Sequence, residues 1–254
     1  MILNLGCGNK ISSNMLNIDF VSDNNEVIEH NLLKPLPYGD EVADLVYHSN
    51  VLEHFTPHDG KKFIKDNFRL LKPGGVLRCV VPDLENTAKE YLKVVEECKK
   101  VGINNKHQWM IIELIDQLNR NKPGGEMSSF ISSNHGIEEF IIERIGPIKG
   151  VDEYKRNTPL TYKKIKRLFF RIISKLLGST YELGRFRKSG ECHLWMYDEL
   201  SLKKLLNECG FIKINRLNAF QSNSKFWLDN NLDLNHENIP IDPCGLILEA
   251  IKEK

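Results

Sequence analysis

Two glycines and one carboxylate near the amino terminus have the residue types and the order of a nucleoside-binding site. Gly6 and Gly8 directly follow the short apolar run at residues 2–5, and Asp19 lies near the end of a second apolar run. Glycines after a strand let the backbone approach a ligand, and a carboxylate at the end of the next strand accepts hydrogen bonds from ribose hydroxyls. The pattern predicts a nucleoside site at one edge of an α/β sheet.

The spacing of these residues narrows the class of nucleoside. A dinucleotide-binding fingerprint has a third glycine three residues after the second, and an acidic residue about 20 residues further on. Ile11 occupies the position of the third glycine, and Asp19 comes far too early. The sequence therefore favours a nucleoside that carries no pyrophosphate.

The elements that would position this site alternate between strands and helices. Apolar patterning predicts strands at residues 2–5, 15–20, 26–29, 43–48 and 76–81, with a helix at about residues 58–71 that Pro73-Gly74-Gly75 ends. Such alternation is typical of a parallel sheet with crossover helices. The segment between Gly8 and Asp19 is too short for a complete crossover helix, so we expect a loop there.

The pattern changes to helices alone after residue 84. Helices are predicted at residues 86–100, 107–121, 137–145 and 162–177, and a further helix at 198–209 precedes strands at 211–220 and 246–252. We therefore predict an α/β domain formed by residues 1–84 and 191–254, with a helical insertion at 85–190. The polar stretch 221–242 is long enough to be a functional or a partly ordered loop.

Composition excludes several classes of protein. The chain has 254 residues, and its 35 Lys and Arg nearly balance 34 Asp and Glu, so net charge indicates no polyanionic partner. Six cysteines lack C-x-x-C spacing, and no group of carboxylates has the spacing of metal ligands, so we expect neither disulfides nor a metal. No apolar run is long enough to span a bilayer, which favours a cytoplasmic protein.

Five motifs follow one another along the chain: LNLGCG, NID, NLLKPLPYGDEVADLVYHSNVLEH, LLKPGGVLRCVVPDLE and HLWMYDELSLKKLLNECGF. In this order and spacing they resemble class I S-adenosylmethionine-dependent methyltransferases of the type 11 kind, in style those found with bacterial surface-polysaccharide genes. The resemblance implies a Rossmann-like sheet that is mostly parallel, with an antiparallel last strand. It also implies that the cofactor is S-adenosyl-L-methionine and that the insertion covers the site of the methyl acceptor.

The resemblance places the cofactor on particular residues. The Gly6-Cys7-Gly8 turn would lie under its methionine and ribose parts, and Asp19 would bind the ribose diol. Asn31 stands where the family usually has the aspartate that contacts adenine, and Asn50 stands where the family often has histidine. The cofactor-binding residues implied are Asn4, Gly6, Cys7, Gly8, Asp19, Phe20, Asn31, Leu32, Ser49, Asn50 and Glu53.

Methyl transfer to a hydroxyl needs a group that removes the hydroxyl proton, and histidine does this near neutral pH. His193 is our first candidate for this base, because it lies where the chain returns from the insertion. His54 and Asp83 are further catalytic candidates. The sequence leaves open that His193 is a buried histidine bonded to the backbone, that His54 caps the next segment and that Glu53 anchors backbone amides.

Candidates for binding the acceptor lie in the insertion. Glu113, Gln117 and Arg120 recur at three- and four-residue spacing and share one helix face, and Glu126 follows the double glycine Gly124-Gly125. A double glycine suits a flap that closes over the cofactor. A solvated helix surface is the alternative for the polar face.

Residues 154–181 are rich in Lys and Arg and contain no acidic residue, and their apolar residues recur at helical spacing. Such a helix docks on its own domain, lies peripherally on an anionic inner-membrane surface or attracts a phosphorylated acceptor. The sequence alone does not choose among these three roles.

These observations predict O-methylation of a sugar hydroxyl or a phosphate-linked group of a capsule or lipopolysaccharide precursor. The expected partner is a small-molecule or nucleotide-linked sugar acceptor, with a second copy of the chain as an open alternative. Nucleic acid is not expected, because the basic residues are concentrated in one predicted helix and the rest of the chain is net acidic. The Asn-Pro-Pro-Tyr or Asp-Pro-Pro-Tyr signature of amino-methylating enzymes is also absent. Two alternatives remain: a membrane-associated methyltransferase acting on a small molecule or quinone, and a non-catalytic subunit that binds the cofactor.

Overall fold

The computed structural model describes residues 1–133, 135–147, 181–187 and 190–253. The helix predicted at residues 162–177 lies outside these ranges, as does nearly all of the basic segment 154–181. Among the described residues, no helix has the length and apolar character needed to cross a membrane.

The strands of the described residues form one seven-stranded sheet in the order β3-β2-β1-β4-β5-β7-β6. Strands β1 to β5 are parallel to one another, whereas β7 is antiparallel to both β5 and β6. This arrangement confirms the predicted Rossmann-like, mostly parallel sheet with an antiparallel last strand. The strands are β1 Ile2–Leu5, β2 Leu16–Asp19, β3 Val27–Glu29, β4 Ala43–Ser49, β5 Leu71–Pro82, β6 Phe211–Leu217 and β7 Gly245–Lys252.

The central strands are apolar on both faces, because the two sides of the sheet are both covered. In β4, Val46 packs into one apolar cluster, whereas its neighbours Leu45 and Tyr47 pack into a second cluster. Successive side chains of a strand point to opposite faces, so adjacent apolar residues fill two separate cores. The continuous apolar runs in the sequence follow from this burial.

The described helices cover the sheet and form a separate group after β5. Helix α1 begins after Thr56, whose hydroxyl accepts a hydrogen bond from the Asp59 amide, with Pro57 at its first position. Helices α2 to α5 share an apolar cluster of their own, which includes Trp109 and Phe130. The helices are α1 Pro57–Leu70, α2 Leu84–Val101, α3 Asn105–Asn119, α4 Gly125–Ile131, α5 Glu138–Ile145, α6 Glu199–Glu208 and α7 Lys225–Asp229, and Leu52–His54 form a 3₁₀ turn.

Two details differ from the sequence-based expectation. Pro73-Gly74-Gly75 lies inside β5, which already begins at Leu71, because the backbone becomes extended directly after α1 ends at Leu70. The short helix α7 interrupts the polar stretch 221–242, for which only a loop was predicted. The division of the chain into a catalytic domain and an insertion at residues 85–190 stays a prediction.

Candidate active site

The crevice for a ligand lies where the order of the strands reverses. From β1 the sheet continues to β2 and β3 on one side, and to β4 and β5 on the other. Parallel strands place their carboxyl ends on one edge, and ligands of such sheets bind outside the strand ends at the reversal. Gly6 follows β1, Asp19 ends β2, Asn31 follows β3 and Ser49 ends β4, so these predicted cofactor residues all lie at this edge.

The glycine turn after β1 requires glycine for two different reasons. Gly6 and Gly8 have φ angles of 63° and 52°, a region that favours glycine. A Cβ atom on Gly6 would collide with Val51, whereas nothing lies within 4 Å of the corresponding position on Gly8. Gly6 and Cys7 donate backbone hydrogen bonds to the Ile18 carbonyl, at 2.7 and 3.2 Å. The turn is thus tied to β2 on one side and open to a ligand at Gly8.

The Asp19 carboxylate is held in place by two backbone amides. The Gly8 amide donates to Oδ2 at 2.7 Å, and the Phe20 amide donates to Oδ1 at 2.6 Å. Each carboxylate oxygen keeps a second lone pair, so a pair of vicinal hydroxyls can still bind. The Phe20 ring is 58% exposed beside this carboxylate. This geometry fits the ribose of a nucleoside.

Three of the other predicted cofactor residues have internal contacts. Asn4 is buried and donates to the Lys10 carbonyl and to Asn17 Oδ1, at 2.6 and 3.0 Å. Leu32 is buried in the main apolar cluster. Burial raises the pKa of the Cys7 thiol to about 12, and the nearby Asp19 adds to this shift. These residues support the turn and its surroundings from within.

Asn31 follows β3 at the same edge of the sheet. Its Oδ1 atom accepts a hydrogen bond from the Leu33 amide at 3.0 Å, which closes a local turn. The oxygen that would accept from the adenine amino group therefore already has one donor, and its second lone pair is the one left for adenine. Contact with adenine stays a prediction.

Lys10 and Asp242 were not among the predicted site residues, yet they lie at this edge. Lys10 Nζ donates to Ser49 Oγ at 2.9 Å. Partial burial raises the pKa of Asp242 to about 6, while Lys10 and a hydrogen bond from Asn50 oppose the shift. Asn50 itself has a φ of 54° and donates its amide to the Val80 carbonyl at 3.0 Å. A lysine and a carboxyl group thus flank the end of β4.

Three predicted residues lie together just after the end of β4, and we call them the Glu53–His54–His193 cluster. The imidazole rings of His54 and His193 lie 4.8 Å apart, edge to face, and Glu53 Oε1 lies 4.0 Å from His193 Nε2. The return segment, residues 190–198, brings His193 here. Its Leu194 and Trp195 amides donate to the Glu53 carbonyl, at 2.8 and 3.1 Å.

Burial decides the charge of this cluster. Glu53 and His193 are 1% and 3% exposed. Burial raises the pKa of Glu53 to about 8 and lowers the pKa of His193 to about 3, and it also lowers the pKa of His54. Two neutral imidazoles therefore lie beside a carboxyl group that retains its proton near neutral pH. Neutral imidazole can accept a proton or bind a cation.

Asp83, the third catalytic candidate, is engaged in structural contacts. Its Oδ1 atom accepts from the Asn86 amide at 3.1 Å and so caps α2, and its Oδ2 atom pairs with Arg216 at 2.7 Å. The residue is buried and bridges to Tyr197 of the return segment. The structure therefore gives Asp83 a role in fixing α2 and the return segment, and a catalytic role stays a prediction.

The predicted acceptor residues divide into internal and exposed groups. Glu113 pairs with Arg144 at 2.5 Å, and Arg120 pairs with Asp116 at 2.7 Å, with all four side chains at most 10% exposed. The alternative of a solvated helix face is therefore wrong for Glu113 and Arg120, because Glu113 of α3 pairs with Arg144 of α5 and Arg120, directly after α3, pairs with Asp116 of that same helix.

The two remaining acceptor candidates lie on different surfaces. The Gln117 carbonyl accepts the His193 amide at 3.0 Å, which ties α3 to the return segment. Glu126 is exposed and pairs with Lys122 at 2.8 Å. Contact with an acceptor stays a prediction for all four residues.

Comparison with known families concerns the part of the chain that builds this edge. Residues 3–79 match the family described as a methyltransferase domain. This part of the chain is similar to methyltransferase domains. The match includes the glycine turn, Asp19 and the Glu53-His54 pair, and it confirms the predicted S-adenosylmethionine-dependent class and its cofactor.

Several solved structures are similar to the chain at low identity. An S-adenosylmethionine-dependent methyltransferase from Methanosarcina mazei is 17% identical, with 99% of this chain and 92% of that one covered and a TM-score of 0.44. A possible histamine N-methyltransferase from Thermotoga maritima is 11% identical, with coverage of 99% and 82% and a TM-score of 0.44. A third structure, an S-adenosylmethionine-dependent methyltransferase from Archaeoglobus fulgidus, is 14% identical, with coverage of 99% and 85% and a TM-score of 0.40. No curated protein matches the chain.

Proposed function

We propose that the protein is an S-adenosylmethionine-dependent O-methyltransferase whose acceptor is a sugar hydroxyl or a phosphate-linked group of a surface-polysaccharide precursor. The observation that supports it is one sheet edge carrying both a nucleoside-binding turn and a neutral histidine pair, of which His193 is buried. The sugar acceptor is supported by the resemblance of the motifs to the polysaccharide-associated branch.

The residues of the edge match the functional groups of the cofactor. The Asp19 carboxylate accepts the two ribose hydroxyls, since both of its oxygens are already oriented by backbone amides. The amino-acid part of the cofactor carries a carboxylate and an ammonium group, and Lys10 and Asp242 supply the complementary charges near Ser49. When bound, S-adenosylmethionine supplies an electrophilic methyl group on a sulfonium centre.

The protein must then align the acceptor oxygen, exclude water and assist loss of the hydroxyl proton. The Glu53–His54–His193 cluster is the candidate for the last task, because a neutral imidazole nitrogen can accept a proton. The low pKa of His193, about 3, makes His193 a weak base on its own. The return segment covers the cluster through its hydrogen bonds to the Glu53 carbonyl.

Calorimetric titration with S-adenosylmethionine tests the cofactor site. Asp19→Ala removes the acceptor of the ribose hydroxyls, and hydrogen bonds to a charged group contribute about 1.5–3 kcal/mol. We expect affinity to fall roughly 10- to 100-fold. Asp23→Ala is the matched control, since Asp23 is an exposed acid in the loop directly after Asp19. Wild-type affinity in Asp19→Ala contradicts the proposed cofactor site.

Mass spectrometry on a panel of nucleotide sugars and lipid-linked sugars tests the acceptor. We expect the mass of one added methyl group on at least one sugar hydroxyl or phosphate-linked group. Tight cofactor binding with no product on any acceptor class supports the non-catalytic alternative instead. Product on a quinone alone supports the membrane-associated alternative and contradicts the sugar acceptor.

A further inference from the structure

The Glu53–His54–His193 cluster has the composition of a metal site. Two imidazoles and one carboxylate each offer a ligand atom, and these atoms lie within 4.8 Å of one another. Sequence spacing does not indicate a metal site here, because His193 is distant along the chain from Glu53 and His54 and joins them only through the fold. Two histidines with one carboxylate are a common ligand set for zinc and for non-haem iron.

The polar atoms of the cluster lack hydrogen-bond partners within the described part of the chain. Both carboxyl oxygens of Glu53 and the Nδ1 atom of His193 are buried without a partner. A buried polar group without a partner costs about 1–3 kcal/mol, so native proteins contain few of them. Here the unpartnered atoms belong to metal-binding side chains and lie together, which indicates a ligand that the chain itself does not supply.

The third side chain is oriented as a metal ligand. His54 Nδ1 lies 3.1 Å from the Cys192 carbonyl oxygen, which can only accept a hydrogen bond. The Nδ1–H group therefore donates to Cys192, and the lone pair of the ring lies on Nε2. Metal-binding histidines are typically held in this way, with one nitrogen donating to a carbonyl and the other on the metal.

We propose that Glu53, His54 and His193 bind one divalent transition-metal ion of the zinc type, with Glu53 releasing its proton to solvent as the ion binds. Ligand atoms about 2 Å from a shared ion lie at most about 4 Å apart, so side-chain movements of about 1 Å close the cluster around it. Three protein ligands leave a coordination position open. The nitrogen donors favour such an ion over magnesium or calcium, which prefer oxygen.

A consequence for catalysis rests on the proposed function. An acceptor hydroxyl in the open position has its pKa lowered by the cation, so its proton passes to solvent more readily. The cluster then acts through the bound ion, with His54 and His193 as ligands and not as free bases. The oxygen so activated lies at the same edge as the cofactor turn.

Metal binding is tested on the purified full chain after removal of metals with a chelator, using Co²⁺ as the probe. Equilibrium dialysis with elemental analysis should give about one Co²⁺ per chain, with visible d–d absorption. His54→Asn, His193→Asn and Glu53→Gln should each weaken binding at least ~10-fold, the effect that even outer-shell changes produce. His58→Ala is the matched control, since His58 is exposed in the first turn of α1.

The proposal is overturned if the wild-type chain binds no Co²⁺, or if His193→Asn binds it as the wild type does. A second measurement needs no variant: saturating Zn²⁺ should raise the melting temperature of the metal-free wild type, because the folded cluster binds the ion more tightly than the unfolded chain does. An unchanged melting temperature also contradicts the site. Calorimetry with S-adenosylmethionine on the same samples tests the proposed function separately, because that titration follows Asp19 and the glycine turn.

Discussion

His48 shows how burial alone sets the chemistry of one side chain. The residue lies near the end of β4, is fully buried and packs edge to face on Phe63, with ring centroids 5.0 Å apart. Neither ring nitrogen has a hydrogen-bond partner among the described residues. Burial lowers the pKa of His48 to about 3, so the imidazole is neutral and acts as an apolar ring of the core.

This burial predicts a loss of stability in acid. An unfolded histidine has a pKa near 6.5. Between about pH 6.5 and pH 3 the unfolded state therefore binds more protons at His48 than the folded state, and the free energy of unfolding falls as pH falls. His48→Phe should show a smaller loss between about pH 7 and pH 5, measured by urea denaturation. His58→Phe, at an exposed site, should keep the wild-type pH dependence, and an equal loss in His48→Phe contradicts the assignment.

At the scale of single residues, local spacing predicted the residues of the glycine turn. Site residues that are brought together only by long-range contacts could not be predicted in this way. Gly6, Gly8 and Asp19 were recognisable because the two glycines come just after the short strand β1 and Asp19 is the last residue of the short strand β2. Lys10 lies two residues after Gly8, and this position was the signal that could have identified it. Asp242 had no such signal, because the contact with Asn50 joins distant parts of the chain.

At the scale of single helices and strands, the start of helix α6 is set by two residues that cap it. Asp198 accepts a hydrogen bond from the Ser201 amide at 2.7 Å, and Ser201 Oγ accepts one from the Asp198 amide at 3.0 Å. Together they satisfy two backbone amides at the start of the helix. The helix follows the return segment directly, so its start also fixes where that segment ends.

Removing this cap should destabilise the protein by a predictable amount. Asp198→Ala leaves the Ser201 amide without its acceptor, which costs about 1 kcal/mol. Asp198→Asn keeps a side-chain oxygen at the same place, and asparagine caps helices about as well as aspartate. We expect the asparagine variant to stay near the wild-type unfolding free energy in urea denaturation. Equal losses in the two variants would falsify a role of the side-chain oxygen as the cap.

Sequence patterns predicted most strands and helices within a few residues, because apolar spacing reflects which face is buried. Helix α7 was missed because it is short and its formation depends on tertiary packing. Its Trp227 is fully buried and lies 4.3 Å from Tyr47, measured between ring centroids. Five residues carry too little periodicity to indicate a helix, so only the packing against β4 reveals it.

At the scale of the whole molecule, a buried ion network attaches the polar stretch to the sheet. Arg78 of β5 is fully buried and pairs with Asp233 and Glu249, each at 2.7 Å. Tyr47 donates its hydroxyl to Asp233 at 2.7 Å, and the Arg78 guanidinium also donates to the Gln221 carbonyl at 2.9 Å. This network orders the stretch 221–242, which ends at the Asp242 carboxyl beside the cofactor turn.

Removing the central charge of this network should therefore affect both stability and the site. Arg78→Met leaves two buried carboxylates unpaired, and breaking a buried ion pair on one side costs about 3–5 kcal/mol. Lys72→Met is the matched control, because Lys72 pairs with Asp44 at a largely exposed position of the same strand, where such pairs contribute at most about 1 kcal/mol. Urea denaturation measures the two losses.

Limited proteolysis should show faster cleavage within residues 221–242 in Arg78→Met alone, and the affinity for S-adenosylmethionine should fall with it. Equal losses in the two variants, or an uncleaved stretch in Arg78→Met, would show that the network does not hold this part of the site.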